Sequence, residues 1–284
     1  MNTREWLRFL RIPNAVTAAV DVLAGALVAG CPWSLGLGVA AAGSASLYAG
    51  GIALNDVMDA ERDAREHPER ALPSGRLSRA VALRTAILLL GLGVLPAALA
   101  PERLPVVLVM LTGIVLYDLL PDTIPWLQAL ALGTVRGCNI LSGALLAESP
   151  LDPRVAAACA GYGILILVLT RASQCEGTGR SVRIHGRFLF WAFLLPFALW
   201  LNPDTLGAHL PEFAATLALA AFPLYTAWRV DSSPAELVRT TLRLIIPWMA
   251  LLLWCSGHAL DALLIAGFAL LQLAAIRCLQ FRAS

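Results

Sequence analysis

The sequence predicts an all-α, polytopic membrane protein with nine or ten transmembrane helices. Three observations carry that prediction. Of the 284 residues, 58% are hydrophobic and only 14% charged, and the mean hydropathy is +0.73. A soluble chain carries about 25% charge, so this one has too little polar surface to cover a compact ball. The apolar residues gather in runs near the roughly 20 residues that a helix needs to cross a hydrocarbon core, and none alternates as a half-buried strand would.

In chain order the apolar runs lie near 14–30, 36–54, 80–99, 104–120, 126–147, 154–172, 187–202, 211–229, 241–257 and 260–280. Runs 187–202 and 241–257 are short and read as partial or re-entrant helices, which leaves nine spans open beside ten. Arg4, Arg8 and Arg11 precede the first run, and Arg62, Arg65, Arg70, Arg76 and Arg79 follow the second. Arg180, Arg183 and Arg187 follow the sixth, and Arg229, Arg239 and Arg243 the eighth, whereas the alternate connections hold only Arg103 and Arg154. Cationic loops stay in the cytoplasm, so both termini are expected there. Trp126, Trp191, Trp200, Trp228 and Trp248 lie near run ends and read as an interfacial belt. No polar segment is appended, and residues 1–284 read as one membrane domain.

All 21 basic residues are Arg, which excludes a Schiff-base lysine and a Walker-type phosphate lysine. They form no continuous basic face, so no nucleic-acid partner is expected. The six Cys are scattered without CxxC or Cys/His spacing and read as small apolar residues rather than zinc ligands.

The second run ends in chemistry. Asn55, Asp59 and Asp63 recur every four residues, so a helix places them on one slowly drifting stripe. Oxygen donors on one stripe suit a hard cation such as Mg²⁺, which binds one or two carboxylates beside substrate phosphates. The plainer reading is a solvated helix end whose acids pair with Arg62 and Arg65. Beyond it lie Arg65, Arg70 and Arg76, in a loop broken by Pro68 and Pro73-Ser74-Gly75. Guanidinium groups there suit phosphate oxygens, or anionic lipid headgroups.

LRFLRIPN before the first run, NDVMDAERDA at the end of the second and ERALPSGRLSRAVAL leading into the third resemble the UbiA superfamily of intramembrane prenyltransferases. Asn55, Asp56, Asp59 and Asp63 match its first signature, NDxxDxxxD, in full. The resemblance implies a helical bundle around a central cavity open to lipid. Mg²⁺ on the acidic motif would bind a prenyl diphosphate, and ionisation would give an allylic cation that an aromatic or other lipophilic acceptor attacks. On that reading Asn55, Asp59 and Asp63 hold metal, Arg65 and Arg70 hold phosphates, and Tyr117 lines the reacting centre.

The chain departs from the family pattern in two places. The second acidic motif, expected around 169–180, is replaced by TRASQCEGTGR, in which Glu176 is the one acid and the one residue carried over as a metal ligand. After Tyr117 the family's Lys gives way to Pro121 and Asp122. With GTVRGCNILSG in the fifth run, these features resemble the EboC-like branch, which implies a bacterial inner membrane. Arg136 and Asn139 share a helix face at membrane depth. Arg136 there either contacts the substrate, with Asn139 on the same wall, or is a structural partner of Asp118 or Asp122; Asp21 reads as a partner for a cavity Arg. Beside a Mg²⁺-dependent transferase, a terpene cyclase and a non-catalytic isoprenoid-lipid carrier stay open.

Overall fold

A computed structural model describes residues 1–147, 152–174, 182–200, 210–229 and 233–280. Every apolar run became a helix. In order these are α1 (Thr3–Phe9), α2 (Ile12–Val28), α3 (Leu35–Met58), α4 (Ala60–Glu66), α5 (Arg79–Ala98), α6 (Leu104–Leu119), α7 (Pro125–Ala144), α8 (Pro153–Ser173), α9 (Arg183–Leu194), α10 (Leu210–Trp228), α11 (Pro234–Cys255) and α12 (Ala259–Gln280). No strand occurs among the described residues.

Six of these helices are long and apolar enough to cross a membrane, and α1 with α2 makes a seventh if that pair, bent by 56°, is one span. The count of nine or ten is therefore not reached on length and composition. The run 187–202 does fall short: α9 has 12 residues and passes into a 3₁₀ turn, Leu195–Trp200. The run 241–257 does not, because α11 begins earlier, at Pro234, with Ser233 capping the Glu236 amide. Its first turns are polar (PAELVRTT), which hid them from an apolar count.

In the bundle α2 packs against α3, α7, α11 and α12, and α7 packs in addition against α6 and α8. A Cβ on Gly25 would lie 2.0 Å from the Ile140 carbonyl oxygen, and one on Gly143 the same distance from that of Val22. Only glycine lets these two backbones meet, the small-residue contact that membrane helices use in place of a hydrophobic driving force. The outer faces are apolar, as on α5 (Ile87, Leu88, Leu95) and α12 (Leu263, Leu264, Leu270), which suits lipid.

Trp126, Trp191 and Trp228 are exposed, as a belt requires, while the Trp200 side chain lies outside the described residues. Trp248 is different: it is fully buried, stacks on Tyr162 at 5.6 Å and donates from Nε1 to the Phe193 carbonyl at 3.0 Å. A run end in sequence is not a bundle surface when a neighbouring helix covers it.

Candidate active site

Helices α2, α3, α6, α7, α8 and α11 enclose a cavity of about 340 Å³. Its walls are largely apolar, with Leu47, Met110, Ile114 and Val135 among them, and polar side chains gather at its two ends.

Asn55, Tyr117 and Asp118 line the mouth. The predicted stripe bends there, because α3 stops at Met58 and α4 restarts at Ala60, with Asp59 as the shared cap. The i→i−4 bonds persist through the bend, from Asp59 N to Asn55 O and from Asp63 N to Asp59 O, both 2.8 Å. The three side chains therefore stay in register. Asn55 Nδ2 donates at 3.1 Å to Asp59 Oδ2 and also at 3.1 Å to Asp118 Oδ1, drawing two carboxylates to one amide. The second Asp118 oxygen is buried without a partner.

Each of the three Asp residues of the NDxxDxxxD segment has its own guanidinium. Asp59 accepts from Arg62, which also reaches Asp122 at 3.0 Å. Buried Asp63 takes both its bonds from Arg70, at 2.7 and 2.8 Å. Asp56 faces Arg11 at 3.4 Å. Burial pushes the Asp59 carboxyl above the usual carboxylate range; Arg62 opposes that rise, and Asp63 and Asp122 add to it.

At the deep end, Asp21 is fully buried, 3.1 Å from the Arg136 guanidinium and 3.0 Å from Asn139 Nδ2. Arg136 also donates to Thr17 Oγ1 at 2.8 Å and to the Tyr162 hydroxyl. Arg136 thus pairs with Asp21, not with Asp118 or Asp122, and the same cluster joins α2, α7 and α8.

The UbiA prenyltransferase family matches residues 18–236. The chain belongs to that family. Among curated relatives of this UbiA-family prenyltransferase are digeranylgeranylglyceryl phosphate synthases of Methanopyrus kandleri and Saccharolobus solfataricus. The first is 36% identical over 114 residues, 40% of this chain and 42% of the relative. The second is 33% identical over 122 residues, 41% and 43% respectively. The chain thus spans less than half the length of these relatives. A solved UbiA homologue from Archaeoglobus fulgidus, bound to GPP and Mg²⁺, shares the fold with TM-score 0.62 at 14% identity, over 89% of this chain and 99% of that one. The apo UbiA homologue from Aeropyrum pernix K1 gives 0.57 at 17%, over 92% and 98%. The curated relatives are archaeal and carry another name, so neither the EboC-like branch nor a bacterial membrane draws support from them.

In this family member the expected residues are distributed unevenly. Asn55, Tyr117, Arg136 and Asn139 line the cavity; Asp59 stands one hydrogen bond behind Asn55, and Asp63, bound by Arg70, does not line the cavity. Arg70 is engaged with Asp63, while Arg65 is exposed and outside the cavity wall. Glu176 lies outside the described residues. Its described neighbour Gln174 donates to Gln128 at 2.9 Å, and Gln128 in turn reaches Asp122 at 3.3 Å. Neutral amides therefore tie the altered second motif to Asp122, Arg62 and Asp59. Among the described residues no three His, Cys, Asp or Glu gather closely enough to hold a metal ion. The donor set still fits Mg²⁺, which needs only one or two carboxylates and completes its shell with water and phosphate. The unpartnered Asp118 oxygen beside Asn55 is the feature that fits it.

The sequence pointed to Asp118 only as a candidate partner of Arg136 and to Arg11 only as an orientation signal; neither was expected at the mouth. Among the described residues Arg11 is the one non-glycine residue with positive φ (47°), at the kink between α1 and α2. Strained backbone of that kind clusters at functional sites. LRIPN was its sequence signal.

Proposed function

We propose that the enzyme transfers an isoprenyl group from a prenyl diphosphate to a lipophilic acceptor within the membrane, with Mg²⁺ as cofactor and residues 1–284 acting as one domain. One observation carries the reading: an acid- and Arg-lined mouth opens into an apolar cavity of about 340 Å³. GPP and Mg²⁺ in the Archaeoglobus homologue support the donor and the metal. The names of the relatives favour a glycerol-phosphate lipid as acceptor.

Asn55, Asp59, Asp63 and Glu176 would hold the metal, with Asp118 adding a carboxylate. Arg70 would take the diphosphate with exposed Arg65 only at its outer edge, Tyr117 would stand beside the reacting carbon, and Arg136 and Asn139 would line the deep wall. When bound, Mg²⁺ neutralises charge on the leaving diphosphate. The C–O bond breaks with its electron pair on the diphosphate, and the acceptor's nucleophilic atom forms the new bond to carbon and loses a proton. The apolar walls exclude water from the allylic cation, and no nucleophilic side chain is needed. Arg62 and Arg70 orient Asp59 and Asp63.

Diphosphate release from a series of prenyl diphosphates by the purified protein, with and without Mg²⁺, tests this. Release that requires both metal and Asp59 supports the proposal. Release that persists in Asp59→Ala overturns it. Donor binding without release under any acceptor favours a carrier, and a hydrocarbon product formed without acceptor favours a cyclase.

A further inference from the structure

A second cavity, of about 270 Å³, lies between the kink at the start of α2, the first turns of α11 and the last turns of α12. Four of its lining residues are arginines: Arg8, Arg11, Arg239 and Arg243. No carboxylate lines it. Among the described residues neither Arg239 nor Arg243 is paired with a carboxylate, and both are exposed. Arg8 spends its Nε on the Leu279 carbonyl at 2.9 Å, and Arg11 is shared with Asp56. Asp56 faces only Arg11, so Arg8, Arg239 and Arg243 repel one another with no carboxylate lining the cavity to offset them.

A second and independent observation sits on the α12 side. Gln272 lines this cavity and is 1% exposed, yet neither its Nε2 nor its Oε1 has a hydrogen-bond partner. A buried amide that leaves both its donor and its acceptor unmade is rare and costly. An occupant that both accepts and donates hydrogen bonds would satisfy it. Phosphate oxygens accept from guanidinium and amide N–H, and a monoester or headgroup hydroxyl donates to the amide oxygen. Leu242, Ile276 and Leu279 supply an apolar border, and the exposed Leu270, Leu271 and Leu273 continue it along α12.

We propose that this cavity, which meets the first one at Arg11 and Asn14, is a binding site for a phosphate-bearing molecule, built on Arg8, Arg239, Arg243 and Gln272, none of which lines the prenyl cavity. Its chemistry is shared by an anionic phospholipid headgroup and by free phosphate, and the experiment separates the two.

The full chain is placed in phosphatidylcholine nanodiscs doped with phosphatidic acid, and the lipid retained by the released protein is read by native mass spectrometry. The wild type is expected to retain phosphatidic acid over phosphatidylcholine. Arg239→Gln and Arg243→Gln, at exposed positions that do not threaten folding, are each expected to weaken retention about tenfold. Arg84→Gln, on α5 across the bundle, removes the same charge and is expected to change nothing. Gln272→Leu is expected to weaken retention and to raise the thermal midpoint of the empty protein, because it removes an unsatisfied buried amide. Displacement of phosphatidic acid by millimolar inorganic phosphate assigns the site to free phosphate, and resistance to it assigns the site to a lipid headgroup. Equal retention by wild type and the Arg239→Gln/Arg243→Gln double variant overturns the proposal. So does an equal loss in Arg84→Gln, which would reduce the effect to general surface charge.

Discussion

At the deep end of the cavity Asp21 has no solvent exposure, and its partners Arg136 and Asn139 are buried with it. At the mouth the Asp59 side chain keeps 21% exposure, and its partner Arg62 keeps 40%. Both places pair an acid with an arginine beside an Asn, yet they answer to different physics. The deep pair sits in a low-dielectric interior where a lone charge is very costly, so each partner is needed by the other. The mouth pair meets water, where an exposed ion pair is worth little and can be exchanged for a ligand. Similar residue types thus make a strut in one place and an exchangeable site in the other.

The comparison breaks most readily at Arg136. Arg136→Met leaves Asp21 buried and alone, and a loss of about 3–5 kcal/mol of stability is expected, read as a lower thermal midpoint in detergent; an unchanged midpoint would show the strut is no strut. Asp59→Ala should do the reverse, lowering Mg²⁺-dependent diphosphate release by roughly 100-fold or more while the midpoint barely moves. Asp118→Asn tests whether the unpartnered oxygen belongs to the mouth. It keeps the shape and exchanges a carboxyl for an amide, so release should fall about tenfold with a raised Mg²⁺ requirement. If only the midpoint responds, Asp118 belongs with the struts. Trp248→Leu probes the deep cluster at one remove, since the indole backs Tyr162, which holds Arg136. About 2–4 kcal/mol is expected from the cavity it leaves, with the donor preference of any surviving activity unchanged. Arg65→Ala, exposed and off the cavity wall, should change release by less than about twofold. A large loss there would move the phosphate site outward along α4.

Much of the architecture was legible because lipid imposes a length. All ten apolar runs appear as helices, since backbone groups in hydrocarbon must be satisfied within a helix. The run that extended, α11, did so through a polar first turn that apolar counting ignores. The Asn55, Asp59 and Asp63 spacing was legible for a related reason: i→i−4 bonding carries residues four apart in register even through the bend at Asp59. Asp118 was not legible as a neighbour of Asn55, because 63 residues separate them and nothing in local spacing encodes that distance.

Sequence alone therefore determined the membrane class, the helical runs and the family's first acidic signature, all of which depend on composition and on periodicity within one helix. Tertiary structure decided which faces meet. The close approach of α2 and α7 at Gly25 and Gly143 sets Asp21 against Arg136 and buries Trp248's neighbour Tyr162 in the same cluster. On the other side of α2, packing against α11 and α12 gathers four arginines around an unsatisfied glutamine. Residues on different helices are brought together by the packing of backbones and side chains, and that information is distributed over the whole chain rather than written at any one position.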